Sequence, residues 1–118
     1  MKVWLDDQPD IRGPNFPKEE GWIHTRWPEE TIELLKTGQV EVLSLDHDLG
    51  EDVGYTKPRT GYDVMLWLEE QAKTNPQFVP PKHIQFHTNN AVGRQKMKIS
   101  AQQMYKAYWK RIGDPRAN

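Results

Sequence analysis

Two carboxylates flank an imidazole in Asp46-His47-Asp48, directly after the apolar run Val42-Leu43-Ser44-Leu45, with Leu49-Gly50 following. A second apolar run, Val3-Trp4-Leu5, ends in Asp6-Asp7. A third, His83-Ile84-Gln85-Phe86, ends in His87-Thr88-Asn89-Asn90. Carboxylates held side by side raise one another's pKa, and a divalent cation relieves that repulsion. Magnesium suits an all-carboxylate set, because it takes one or two carboxylates, keeps several waters and leaves positions for phosphate oxygens. Asp6, Asp7, Asp46 and Asp48 are therefore candidate metal ligands, and Asp46 is also a candidate catalytic group. His47 and His87 are candidate acid–base groups, since imidazole titrates near neutral pH. A single aspartate more often caps a turn. Here the pattern of strand followed by carboxylate occurs twice, which favours a shared site.

Thr88, Asn89 and Asn90 should open the last helix, whose free N–H groups suit an anion. Arg94 would add a bidentate fork. Thr88, Asn89 and Arg94 are thus the candidate phosphate-binding residues. His24 lies within a strand and His83 at the far end of another, so neither is expected in the site. No phosphate-loop or dinucleotide glycine signature is present, which argues against a nucleoside-triphosphate or nicotinamide enzyme.

The elements that must position these groups follow from punctuation and periodicity. Lys2 to Leu5 reads as a first strand and Trp22 to Trp27 as a second. Between them, Pro9, Pro14, Pro17 and Gly13 exclude a regular helix. Pro28 with Glu29 and Glu30 suits a helix start, and Gly38 a helix stop. Glu41 to Leu45 is the third strand. Val64, Trp67, Leu68 and Ala72 recur at helical spacing after Thr60-Gly61-Tyr62-Asp63. Asn75-Pro76 ends that helix, and His83 to His87 is the fourth strand. Met97, Ala101, Met104, Tyr108 and Ile112 mark the buried face of a last helix, and residues 113–118 read as a frayed tail. Strands alternating with helices predict an α/β fold with a parallel sheet covered on both faces. The expected strand order is 2-1-3-4. In such sheets ligands bind beyond the carboxyl ends of the strands, where the polar clusters fall.

At 118 residues the chain suits one domain, 1–118. It has no cysteine, which excludes disulfides and thiolate metal sites and fits a reducing compartment. No apolar run approaches the ~20 residues needed to span a bilayer. The expected location is cytoplasmic. Charge is uneven: residues 1–90 hold 9 Lys+Arg against 16 Asp+Glu, whereas residues 91–118 hold 7 against 1. A basic C-terminal helix could contact RNA or simply offset an acidic body.

With these residues in view the chain resembles response-regulator receiver domains. Asp6-Asp7, Asp46 and Thr88 correspond to the acidic pair, phospho-acceptor and hydroxyl of that class. It departs from them in replacing the first helix by a Pro-rich loop and in having no fifth strand with a lysine. It is more similar to the cyclic-phosphate processing receiver domains. That likeness rests on Val3-Trp4-Leu5-Asp6-Asp7, Ser44-Leu45-Asp46-His47-Asp48-Leu49-Gly50, Thr60-Gly61-Tyr62-Asp63-Val64, and His87-Thr88-Asn89 with Gly93-Arg94 and Met97. Ala91 stands where that family is expected to have proline. The resemblance implies a three-layer, flavodoxin-like receiver fold. It also implies action on a cyclic phosphate, at a 2′,3′-cyclic RNA end or in a cyclic nucleotide. The leading expectation is a phosphodiesterase assisted by a divalent ion, Mg2+ first among candidates. The alternatives are a non-catalytic module that binds a cyclic nucleotide, a phosphate ligand or a protein partner, and a true phospho-acceptor at Asp46.

Overall fold

The computed structural model describes residues 1–6, 21–46 and 60–117. Its elements in chain order are β1 (Lys2–Leu5), β2 (Trp22–Thr25), α1 (Pro28–Leu35), β3 (Val42–Leu45), α2 (Gly61–Thr74), β4 (His83–Phe86) and α3 (Ala91–Ile112), closed by a 3-10 turn at Pro115–Ala117. The four strands form one sheet in the order β2-β1-β3-β4, with every pair parallel. This is the α/β receiver-like topology expected; residues 7–20, read from the sequence as a Pro-rich loop in place of the first helix, lie outside the described residues.

Strand alternation divides the sheet into two unlike faces. Val3, Leu5, Leu43 and Leu45 point one way and are fully buried, with Ile84 and Phe86 of β4 packed beside them. Leu35 of α1, then Val64, Met65, Leu68 and Ala72 of α2, then Met97, Ala101 and Met104 of α3 complete the same cluster. All three described helices therefore share one face. For α1 and α2 the cause is topological: the steps β2 to β3 and β3 to β4 run in one direction across the sheet, and right-handed crossovers place their helices on one side. α3 follows β4 and joins that face through Met97, Ala101 and Met104. Only the step from β1 to β2 runs the other way, and its connecting residues 7–20 lie outside the described residues. Among the described residues the second face carries no helix. It presents Trp4, Ser44 and Gln85, which are neighbours in register.

The helix ends follow the expected chemistry. Pro28 opens α1 with Glu29 and Glu30 in the first turn, and Gly38 takes a positive φ of 71° beyond its end. The Thr60 N–H donates to Asp63 Oδ2 at 3.0 Å, which fixes the start of α2. Asn90 Oδ1 accepts from the Gly93 N–H at 2.9 Å and caps α3. Gly113 ends α3 in the left-handed conformation, with φ 77°.

Two expectations are corrected. Ile112 is not on the buried face but 53% exposed. The α3 residues packed in or against the core end with Tyr108, so helical periodicity continues beyond the last core contact. Residues 113–117 are not frayed either: the 3-10 turn packs back on α3. Arg116 lies over the Trp109 ring at 4.5 Å and pairs with Asp114 at 2.7 Å.

Candidate functional site

The pleat determines which side chains meet at the carboxyl edge. Trp4, Ser44 and Gln85 lie side by side on the face opposite the described helices. Two residues further along each strand stand Asp6, Asp46 and His87, which by the period of two belong to the same face. The ladder continues to hold their backbones. Asp6 N–H donates to Thr25 O at 3.0 Å, Asp46 N–H to Leu5 O at 3.1 Å, and His87 N–H to Leu45 O at 3.0 Å. One ligand atom from each of Asp6, Asp46 and His87 falls within 4.8 Å of the others. Three residues separated by 40 and 41 positions in the chain thus form one cluster.

His87 is the most constrained member. Its Nδ1 shares a 2.7 Å hydrogen bond with the fully buried Ser44 hydroxyl. Trp4 stacks on the ring, with centroids 3.8 Å apart and planes 10° from parallel. Nε2 lies 3.4 Å from Asp6 Oδ2, longer than an ordinary N–H···O bond, and is buried without a hydrogen-bond partner among the described residues. Burial under Trp4 pushes the imidazole down from its ordinary 6.5 to about 4, against the upward pull of the Asp6 charge. The ring is therefore neutral at pH 7, with Nε2 facing Asp6 Oδ2.

The scaffold behind the carboxylates is equally specific. His24, set aside on sequence grounds, belongs to it: its Nε2 is 2.6 Å from the Asp6 carbonyl oxygen, a distance at which the ring N–H donates. Gly61 lets the start of α2 lie against Asp46. A Cβ there would overlap the Asp46 carbonyl oxygen and come within 3.3 Å of the Met97 sulfur.

Such a cluster fits a divalent cation. Two carboxylates, one of them buried, need a compensating charge. A neutral imidazole with its second nitrogen held by a fixed partner is the usual form of a histidine ligand. Because the set includes nitrogen, it differs from the all-carboxylate set read from the sequence. Asp7, His47 and Asp48 lie outside the described residues. Thr88 is buried, and its hydroxyl accepts from the Asn90 N–H at 3.1 Å. It thus serves the turn into α3. Asn89 is exposed. Arg94 reaches back, its Nη2 donating to the Thr88 carbonyl. Sequence reasoning passed over Ser44, Trp4 and His24 as site residues. A signal for the first two was available: each stands two residues before an aspartate, on the same side of its strand.

A parallel sheet in this order, with acidic groups at the carboxyl ends of its two central strands, defines a receiver-like domain. The family model of the cyclic-phosphate processing receiver domain matches residues 1–103, and the chain belongs to that family. Comparison with curated proteins found no match, and neither did comparison with solved structures. Among the described residues no helix is long and apolar enough to cross a membrane.

Proposed function

We propose that this chain, read as a single receiver-like domain over 1–118, is a metal-assisted phosphodiesterase that opens a cyclic phosphate. The observation that carries the reading is the meeting of Asp6, Asp46 and His87 at the carboxyl edge, with a neutral imidazole nitrogen facing the carboxylates. Asp6, Asp46 and His87 would hold the cation, joined by Asp7 and Asp48 if these reach it. Two carboxylates with an imidazole suit manganese or zinc better than magnesium, which prefers oxygen donors throughout. When bound, the ion would polarise the phosphoryl oxygen.

The reaction adds water across one P–O ester bond, giving a phosphomonoester and a free hydroxyl. At neutral pH the His87 ring can ligate or accept a proton from water, but it has none to spare for the leaving oxygen. His47, next to Asp46, takes the acid role in this reading. Thr88, Asn89 and Arg94 would bound the phosphate side. A cytoplasmic setting, consistent with the lack of cysteine, is part of the proposal.

The test is to incubate the protein with 2′,3′-cyclic-phosphate RNA, 2′,3′-cyclic nucleotides and 3′,5′-cyclic nucleotides, under Mg2+, Mn2+, Zn2+ or chelator. Product appears as a gain of one water in mass. Asp46→Asn and His87→Ala are expected to eliminate turnover while melting cooperatively. Absence of product from every substrate under every metal removes the enzyme reading.

A further inference from the structure

Beside the site, β4 is an edge strand of the sheet. Between it and α3 runs an open groove of about 910 Å3. Its cations are Arg94, Lys98, Lys106 and Arg116, and no carboxylate lines it among the described residues. Along α3 from Arg94 to Trp109 the groove extends about 22 Å, at 1.5 Å per residue. One end adjoins the site, because Arg94 lines the groove and also bonds the carbonyl of Thr88, the residue after His87. At the other end stands a column of flat groups. Tyr105 and Trp109 are stacked at 5.7 Å, and the Arg116 guanidinium lies over Trp109 at 4.5 Å. The Tyr105 hydroxyl donates to Pro81 O at 2.5 Å, and Asp114 grips Arg116 through two nitrogens. The column is thus fixed before any ligand arrives, and the Arg116 side chain is 63% exposed.

We propose that this groove is a subsite for single-stranded RNA, holding the nucleotides that precede a cyclic-phosphate end at Asp6, Asp46 and His87. This rests on the proposed cyclic-phosphate reading and narrows its substrate from a free nucleotide to a strand end. The cations follow the phosphates, and a base stacks on the Arg116–Trp109 column, as bases do on guanidinium and aromatic planes. An acidic peptide would find the cations but no use for a flat stacking column. The length suits about four nucleotides, the low end for single-strand modules.

The test is fluorescence anisotropy with a labelled single-stranded RNA octamer ending in a 3′-hydroxyl, so that binding is read without hydrolysis. Failure of the cyclic-phosphate assay leaves this readout intact. The expected salt dependence has a log–log slope of about −2, from the three cations Arg94, Lys98 and Lys106. The double variant Lys98→Glu/Lys106→Glu should bind at least tenfold more weakly and lose most of that slope. Arg116→Ala should weaken binding several-fold with the slope nearly kept. Both alter exposed side chains, and thermal melting checks that the fold is unchanged. The proposal is overturned if the octamer does not bind at 50 mM salt. It is also overturned if charge reversal leaves affinity and slope unaltered, or if a Glu-rich peptide displaces the RNA at equal concentration.

Discussion

At the scale of single residues, the site is governed by how His87 is held. Its pKa of about 4 lies below the ordinary 6.5, so between those values the unfolded chain binds a proton that the folded chain refuses. Stability is then complete above pH 6.5 and declines as the pH falls toward 4, by an amount on the order of 3 kcal/mol. Urea unfolding at pH 7 and pH 4.5, in chelator, should show this decline, and His87→Gln should remove most of it. An unchanged pH dependence in that variant would mean that another group is responsible. Ser44 has a separate consequence. Ser44→Ala frees the ring to turn and leaves a buried nitrogen unpaired, which costs about 1–3 kcal/mol. Loss of an outer partner of this kind lowers metal affinity by about 10–100-fold, which titration calorimetry with Mn2+ would measure.

At the scale of elements, the approach of α2 to β3 sets the position of Asp46. The contact is backbone against backbone, so no neighbouring side chain can give way to a methyl group at Gly61. Gly61→Ala should therefore push α2 away from the Asp46 carbonyl. An overpacking loss of about 1–3 kcal/mol is expected in denaturant, together with a fall in any metal binding. A variant with unaltered midpoint and affinity would show that this approach is not needed. The same position illustrates a limit of motif reading. Thr60-Gly61-Tyr62-Asp63 reads correctly as a helix start, but that reading assigns the glycine no contact.

At the scale of the whole molecule, folding and cation binding are linked, because three strand ends compose the site and the unfolded chain has no such site. Saturating Mn2+ at about 100 times its Kd should stabilise the protein by about 2.7 kcal/mol, seen as a rise in Tm. Asp46→Asn should reverse the pattern: a higher Tm than the parent in chelator, since carboxylate repulsion is relieved, and a smaller rise with metal. A parent Tm that no divalent ion moves would argue against the cluster as a metal centre.

Much of this architecture was legible in the chain. Apolar runs ended by carboxylates gave the first and third strands, residue alternation gave the second, a run ending in histidine gave the fourth, proline and glycine gave the boundaries, and alternation of strand with helix gave the parallel sheet. That the described helices share one face was not legible in the same way, because for α1 and α2 it depends on the direction of each crossover and not on any local pattern. Strand parity within the sequence already put Trp4 with Asp6 and Ser44 with Asp46, since alternation is local. Which of those faces closes over His87 is decided by the register of three strands, about 40 residues apart in the chain. Only that register brings Ser44 to one ring nitrogen and Asp6 near the other, and burial of the ring lowers its pKa and favours the neutral form. Residue types and spacing thus determined what groups were available. Their charge state and mutual aim arose from burial and cross-strand alignment, which no stretch of sequence contains by itself.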